Sequence, residues 1–130
     1  MIRSSRTVAI NDLVGRDYEA GAYDASRGPL DCLGASCAVL GRLGMAEAAS
    51  DLIEPWGPAP DPEPRGWSRV QGPLALGDII LSESESGWGV AAVCGLDPVL
   101  ALTSIDGSGV MCLPARRIAR QVGTYRWVGK

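Results

Sequence analysis

A chain of 130 residues with 46% hydrophobic and 21% charged residues has the composition of one globular domain and excludes a disordered segment. That length lets roughly two-thirds of the unfolded surface be buried, enough for one core. A net charge of −3 and a sequence pI of about 4.8 exclude a broad basic surface for nucleic acid.

No run of about 18 apolar residues is present, so no membrane insertion is expected. Arg3 and Arg6 are followed by no apolar run, so no secretory signal is expected either. The chain reads as made in a cytoplasm, reaching an outside surface only as part of a larger assembly. Phe is absent, and the large aromatic area comes from Trp56, Trp67, Trp88 and Trp127.

In chain order, Val8 to Val14 reads as a short helix ended by Gly15. A loop rich in Gly, Asp and Tyr follows, through Tyr18, Gly21, Tyr23 and Gly28. The clearest helix is predicted from Cys32 to Leu43. Asp31 is a good N-cap, because its carboxylate can accept from the free N–H groups of the first turn. Leu33, Cys37 and Leu40 form one apolar row, and Cys32, Ser36, Val39 and Leu43 the next, so most of the helix girth is buried. Gly34 and Gly41 cost helix propensity and predict close packing against another element. Gly44 supplies the left-handed stop, and a second helix covers Ala46 to Leu52.

Pro55, Pro58, Pro60, Pro62 and Pro64 make residues 54–66 a surface loop that wraps the domain, with Trp56 and Trp67 as anchors. The second half reads as strands at Ile79–Leu81, Val90–Cys94, Val99–Ser104, Gly109–Leu113 and Tyr125–Val128. Ser82 to Gly87 and Gly95 to Pro98 are turns, Asp106-Gly107 is a hairpin signal, and Pro114 opens a short helix from Ala115 to Gln121. The expected fold class is α+β: one domain over residues 1–130, its N-terminal helices packed on a small antiparallel sheet.

The four cysteines are Cys32, Cys37, Cys94 and Cys112. Cys32 and Cys37, five apart in a helix, are too distant for a disulfide. No C-x2-C pair supports a zinc site. Cys37, Cys94 and Cys112 read as small core residues, and no metal or cofactor is expected.

Cys32 differs, because a helix N-terminus stabilises a thiolate, although the charge of Asp31 acts in the opposite direction. The order of motifs around it is Gly15-Arg16-Asp17-Tyr18-Glu19-Ala20-Gly21, then Asp31-Cys32-Leu33-Gly34, then Gly77-Asp78 before Ile79-Ile80, then the small-residue strand Gly89 to Cys94. This order resembles the NlpC/P60 cysteine peptidases, especially the short versions associated with phage tails. The resemblance implies a papain-like fold, a nucleophile position at Cys32, a neighbouring Tyr at Tyr18, a catalytic His at Trp88 or Gly89, and a third polar residue at Thr103 or Ser104. Asp17 stands where the family often has Pro.

The chain has no histidine. Cys nucleophiles near neutral pH work through a thiolate held by an imidazolium that later protonates the leaving amine. The sole lysine is Lys130, and Asp78 and Glu85 read more simply as turn residues. Loss of a triad member costs several orders of magnitude in rate. The expectation is a catalytically inactive domain acting as a structural or adaptor component of a phage tail tip or virion, with other tail proteins as partners. The alternatives are a cell-wall peptidase and a peptidoglycan-binding module, each using Cys32. A relic site is further expected to be closed, with Trp88 filling the groove over the thiol.

Overall fold

The computed structural model describes residues 7–54, 56–57, 60–84 and 87–129. It is α+β, with helices α1 (Cys32–Arg42) and α2 (Ala46–Ile53) and six strands: β1 (Trp67–Arg69), β2 (Ile79–Ser84), β3 (Gly87–Leu96), β4 (Val99–Ile105), β5 (Gly109–Pro114) and β6 (Gln121–Trp127). All pairings are antiparallel, in the order β1-β6-β2-β3-β4-β5.

The first helix forms where its cap and apolar rows place it. Asp31 Oδ1 accepts from the Gly34 amide at 2.7 Å, and Gly44, at φ +77°, follows the C-cap Leu43. Small residues on its inner side, Ala35 and Ala38, let it approach Ala92 of β3 and Leu102 of β4 closely. The second helix packs on it through Ala48 and Leu52, and the Cys37 thiol donates to Ala49 O across the joint at 3.3 Å. The opposite face of the sheet has its own cluster, Ile80, Ala91, Val93 and Ala101, covered by Leu74, Ala115 and Ile118. The alternation of Ile79 and Leu81 against Ile80 is the period-2 pattern of a strand buried on both faces.

Several local expectations are corrected. Residues 8–14 form no helix but a single turn, with Leu13 and Val14 amides donating to Ile10 O. Their neighbours spend backbone groups on the sheet instead: the Val8 amide donates to Cys94 O and the Gly15 amide to Val110 O. The helix expected over 115–121 is a 3-10 turn at Ala115–Arg117, because Gln121 enters β6 and its side-chain amide donates back to Ala115 O and Ile118 O. The turn expected over 82–87 is narrower, since β2 and β3 stay paired out to Ser84↔Gly87; Glu85 lies outside the described residues.

Trp67 belongs to a strand rather than a loop. It pairs with Trp127, is 1% exposed, and donates its indole N–H to buried Asp51 Oδ2 at 2.9 Å. The Trp56 indole donates to Asp51 O at 2.9 Å, with the Arg65 guanidinium 4.5 Å from the Trp56 ring centroid. Pro55 and Pro58 lie outside the described residues.

The two helical glycines diverge. A Cβ on Gly34 would collide with the carbonyl oxygen of Ala22, whereas one on Gly41 would meet nothing within 4 Å. Gly34→Ala should therefore cost ~1–3 kcal/mol through overpacking against backbone. Gly41→Ala should gain up to ~1 kcal/mol in helix propensity. Urea unfolding of the two variants checks the opposite signs.

Asp12 and Arg42 form a two-pronged ion pair, both contacts at 2.7 Å, that ties the first turn to the end of α1. The hydrogen bond from Arg42 lowers the Asp12 pKa from 3.8 to about 2. A depressed folded-state pKa means the pair stabilises fully above the unfolded value and loses that contribution as pH falls from 3.8 through about 2. Thermal melts of the protein and of Asp12→Asn should differ at pH 5 and converge near the bottom of that window.

Candidate functional site

The sheet opens between β3 and β4 at the end nearest the start of α1. The ladder of the two strands runs from Leu96↔Val99 to Ala92↔Leu102 and stops there. Beyond it a side chain replaces the backbone contact: Thr103 Oγ1 donates to Val90 O at 2.8 Å. The opening is a cleft of about 370 Å³, lined by Tyr18, Cys32, Trp88, Thr103 and Ser104 among others.

Each of these side chains is held by a specific contact. Ser104 Oγ donates to Leu30 O at 2.7 Å, fixing the residue that precedes the Asp31 cap to β4. Asp31 uses its second oxygen, Oδ2, to accept from the Gly21 amide at 2.8 Å. With the Leu30 amide on Asp17 O and the Asp31 amide on Ala22 O, this clamps the Tyr18 loop to the helix start. Tyr18, Asp31 and Cys32, separated in sequence, therefore share one corner of the molecule.

The Cys32 thiol is part-buried, and its pKa lies above the ordinary 9.0. Burial is the largest cause and the charge of Asp31 adds to it; backbone N–H groups of Val90, Leu33 and Cys32 itself act in the opposite direction. Amides at a helix start normally favour a thiolate, but here desolvation wins. Among the described residues, none of the groups that shift this thiol is a cation. Tyr18 is also shifted upward, first by burial and then by the charges of Cys32, Asp31 and Asp106.

Trp88 does not close the site. Its indole donates to Gly57 O at 3.1 Å and lies 5.8 Å from the Trp56 ring, so it forms a wall of the cleft and the space beside Cys32 stays open. The expected filling of the groove is thus corrected: Gly57 O and the Trp56 ring hold the indole to the side. Trp88 shares a cluster with Cys32 and Val90, whereas a Cβ on Gly89 would face Ser82 Oγ at 3.3 Å. Of these two positions, only 88 projects from the face of β3 on which Cys32 sits.

Thr103 and Ser104 do line the cleft, but their hydroxyl protons are committed to backbone carbonyls. Asp78 lies outside it. Its carboxylate is 1% exposed, accepts from Arg126 through both oxygens at 2.9 Å, and accepts from the Ala75 amide at 2.7 Å. It is a structural turn residue.

Two charged residues in the lining were not singled out from the sequence: Asp106, at the β4–β5 hairpin, and Arg117, on the 3-10 turn after β5. Asp106 carried only a turn signal and Arg117 only a helix signal, and neither says which surface the turn overhangs.

Among the described residues no helix is long and apolar enough to cross a membrane, and no group of three or more His, Cys, Asp or Glu side chains could hold a metal. Comparison with protein-family models, curated proteins and solved structures finds no match.

The thiol chemistry has a direct readout. Cys32 should react with iodoacetamide at pH 7.5 at least tenfold more slowly than free cysteine, because the raised pKa leaves little thiolate. Peptide-resolved mass spectrometry of the alkylated chain measures it, and a rate equal to or above that of free cysteine would contradict the assignment.

Proposed function

We propose that this chain is a non-hydrolytic relative of the NlpC/P60 cysteine peptidases, serving as a structural or adaptor component of a phage tail tip or virion. The observation that carries the loss of hydrolysis is the state of Cys32: a desolvated thiol at a helix start, in a chain without an imidazole. Burial raises the thiol pKa and so disfavours the thiolate that nucleophilic attack requires. No residue described in the cleft combines the proton affinity and charge that an imidazole supplies to both acylation and leaving-group protonation. The assignment to a tail or virion rests on the order of sequence motifs and on analogy of fold.

A second reading, retention of a cell-wall peptide without cleavage, is favoured by one feature. The cleft is open and carries an acid, Asp106, and a base, Arg117, beside the Trp88 wall. Such a mixed lining suits a short peptide bearing both charges.

Incubation of the purified chain with peptidoglycan and isolated stem peptides should yield no cleavage product. Hydrolysis that disappears in Cys32→Ala would overturn the proposal. Mass spectrometry of purified particles from the source phage should find the chain at fixed copy number in tails, and its absence from particles would remove the structural role. Calorimetric binding of a stem peptide, lost in Arg117→Ala, would select the second reading.

A further inference from the structure

The sequence treats Cys94 and Cys112 as unrelated core residues, but the sheet brings their sulfurs to 3.9 Å. They lie on β3 and β5, the two strands that flank β4. The approach depends on a bulge. The β3–β4 register passes from Val93↔Ala101 to Gly95↔Leu100, leaving Cys94 as the extra residue, while Cys112 pairs regularly with Leu102. A bulge re-aims the side chain it carries, and here both thiols project onto the face that α1 covers, over the top of β4.

This geometry does not suit a disulfide. Strands separated by a third lie roughly 9.6 Å apart, two strand spacings, whereas a disulfide needs Cα atoms within about 7 Å. Closing that gap would require β3 and β5 to approach through β4. At this distance one thiol hydrogen-bonds to the other, and an ion that replaces the protons would bridge the sulfurs from off the line between them. Two metal–sulfur bonds of ~2.3 Å spanning 3.9 Å subtend about 116° at the metal, close to a trigonal angle.

Both cysteines also line a cavity of about 460 Å³, whose other walls include Val8, Ile10, Val14 and Leu100, with Asn11 as a polar member. The third position of a trigonal ion can be taken by a small thiol that enters from the cavity.

We propose that Cys94 and Cys112 form a two-thiolate site for a soft d10 metal ion of low coordination number, with Cu(I) as the ion of matching chemistry. Soft thiolate donors select such ions. A structural Zn(II) site would require four ligands, and among the described residues no third His, Cys, Asp or Glu joins the pair. Binding replaces the two thiol protons, which pass to solvent, and forms two metal–sulfur bonds with no change of oxidation state. The bound ion clips β3 to β5 across β4, so it should stabilise the fold.

The test is anaerobic titration of the reduced full chain with Cu(I), buffered by a chromophoric Cu(I) chelator. One equivalent should be withdrawn from the chelator, and the thermal midpoint should rise with it. Cys94→Ser and Cys112→Ser should each lower the affinity at least a hundredfold and abolish the thermal shift. Cys32→Ser and Cys37→Ser should retain both. Circular dichroism of the Cys112→Ser variant separates loss of the site from loss of the fold, because Cys112 is only part-buried. Failure of the folded wild-type chain to compete for Cu(I) would overturn the proposal. So would binding that survives in folded Cys112→Ser, preferential binding of Zn(II) at the same pair, or a Cys94–Cys112 disulfide formed by mild oxidation without unfolding.

Discussion

The Asp31 carboxylate is the contact on which the rest of the molecule's functional corner depends. One oxygen ends the helix ladder at Gly34 and the other holds the Gly21 amide. A single buried group thereby fixes where α1 begins and where the preceding loop returns. Ser104 adds the third point of attachment by holding Leu30 O to β4. Buried polar groups of this kind are costly unless satisfied, and here their satisfaction joins a loop, a helix and a strand. The cleft is the space left where these three elements meet the unzipped end of β3.

The same arrangement explains why the thiol at that corner is quiet. A helix start offers amides and a favourable dipole, which alone would draw the Cys32 proton off. The capping carboxylate that makes the helix start possible is itself a negative charge beside the sulfur, and burial between α1 and β3 removes the water that would stabilise a thiolate. An imidazolium is the usual counterweight to both, and the chain contains none. Structure and composition therefore act in the same direction on this residue.

Much of the framework could be read from local signals because those signals coincided. Asp31, two apolar rows and Gly44 all point to one helix, and its observed span of Cys32–Arg42 follows. The apolar run Ile79–Leu81 after Gly77-Asp78 and the Asp106-Gly107 turn likewise marked the meander. Legibility failed where partners are remote. Residues 8–14 carry an apolar spacing that suits a turn of helix, but their flanks are claimed by β3 and β5. Trp67 is a single aromatic after a proline run, and only its pairing with Trp127 makes it a strand. In the cleft, Tyr18, Cys32, Trp88, Thr103 and Ser104 follow from motif order. Asp106 and Arg117 do not, since their place depends on how the sheet curls. The Cys94–Cys112 approach depends on a bulge that no local pattern encodes.

The position of β6 has a consequence for how the chain acquires its structure. The last strand in chain order lies between β1 and β2, so β1 is attached to the sheet only through it. As the chain emerges during synthesis, β2 to β5 can pair as a consecutive meander while the Trp67 segment has no partner strand. Only when residues 121–127 arrive does the sheet close around them, joining Trp67 to Trp127 across nearly half of the sequence. Such non-local closure is slow compared with hairpin formation, so a nascent chain exposes Trp67 and the edge of β2 until residues 121–127 have been made and have paired.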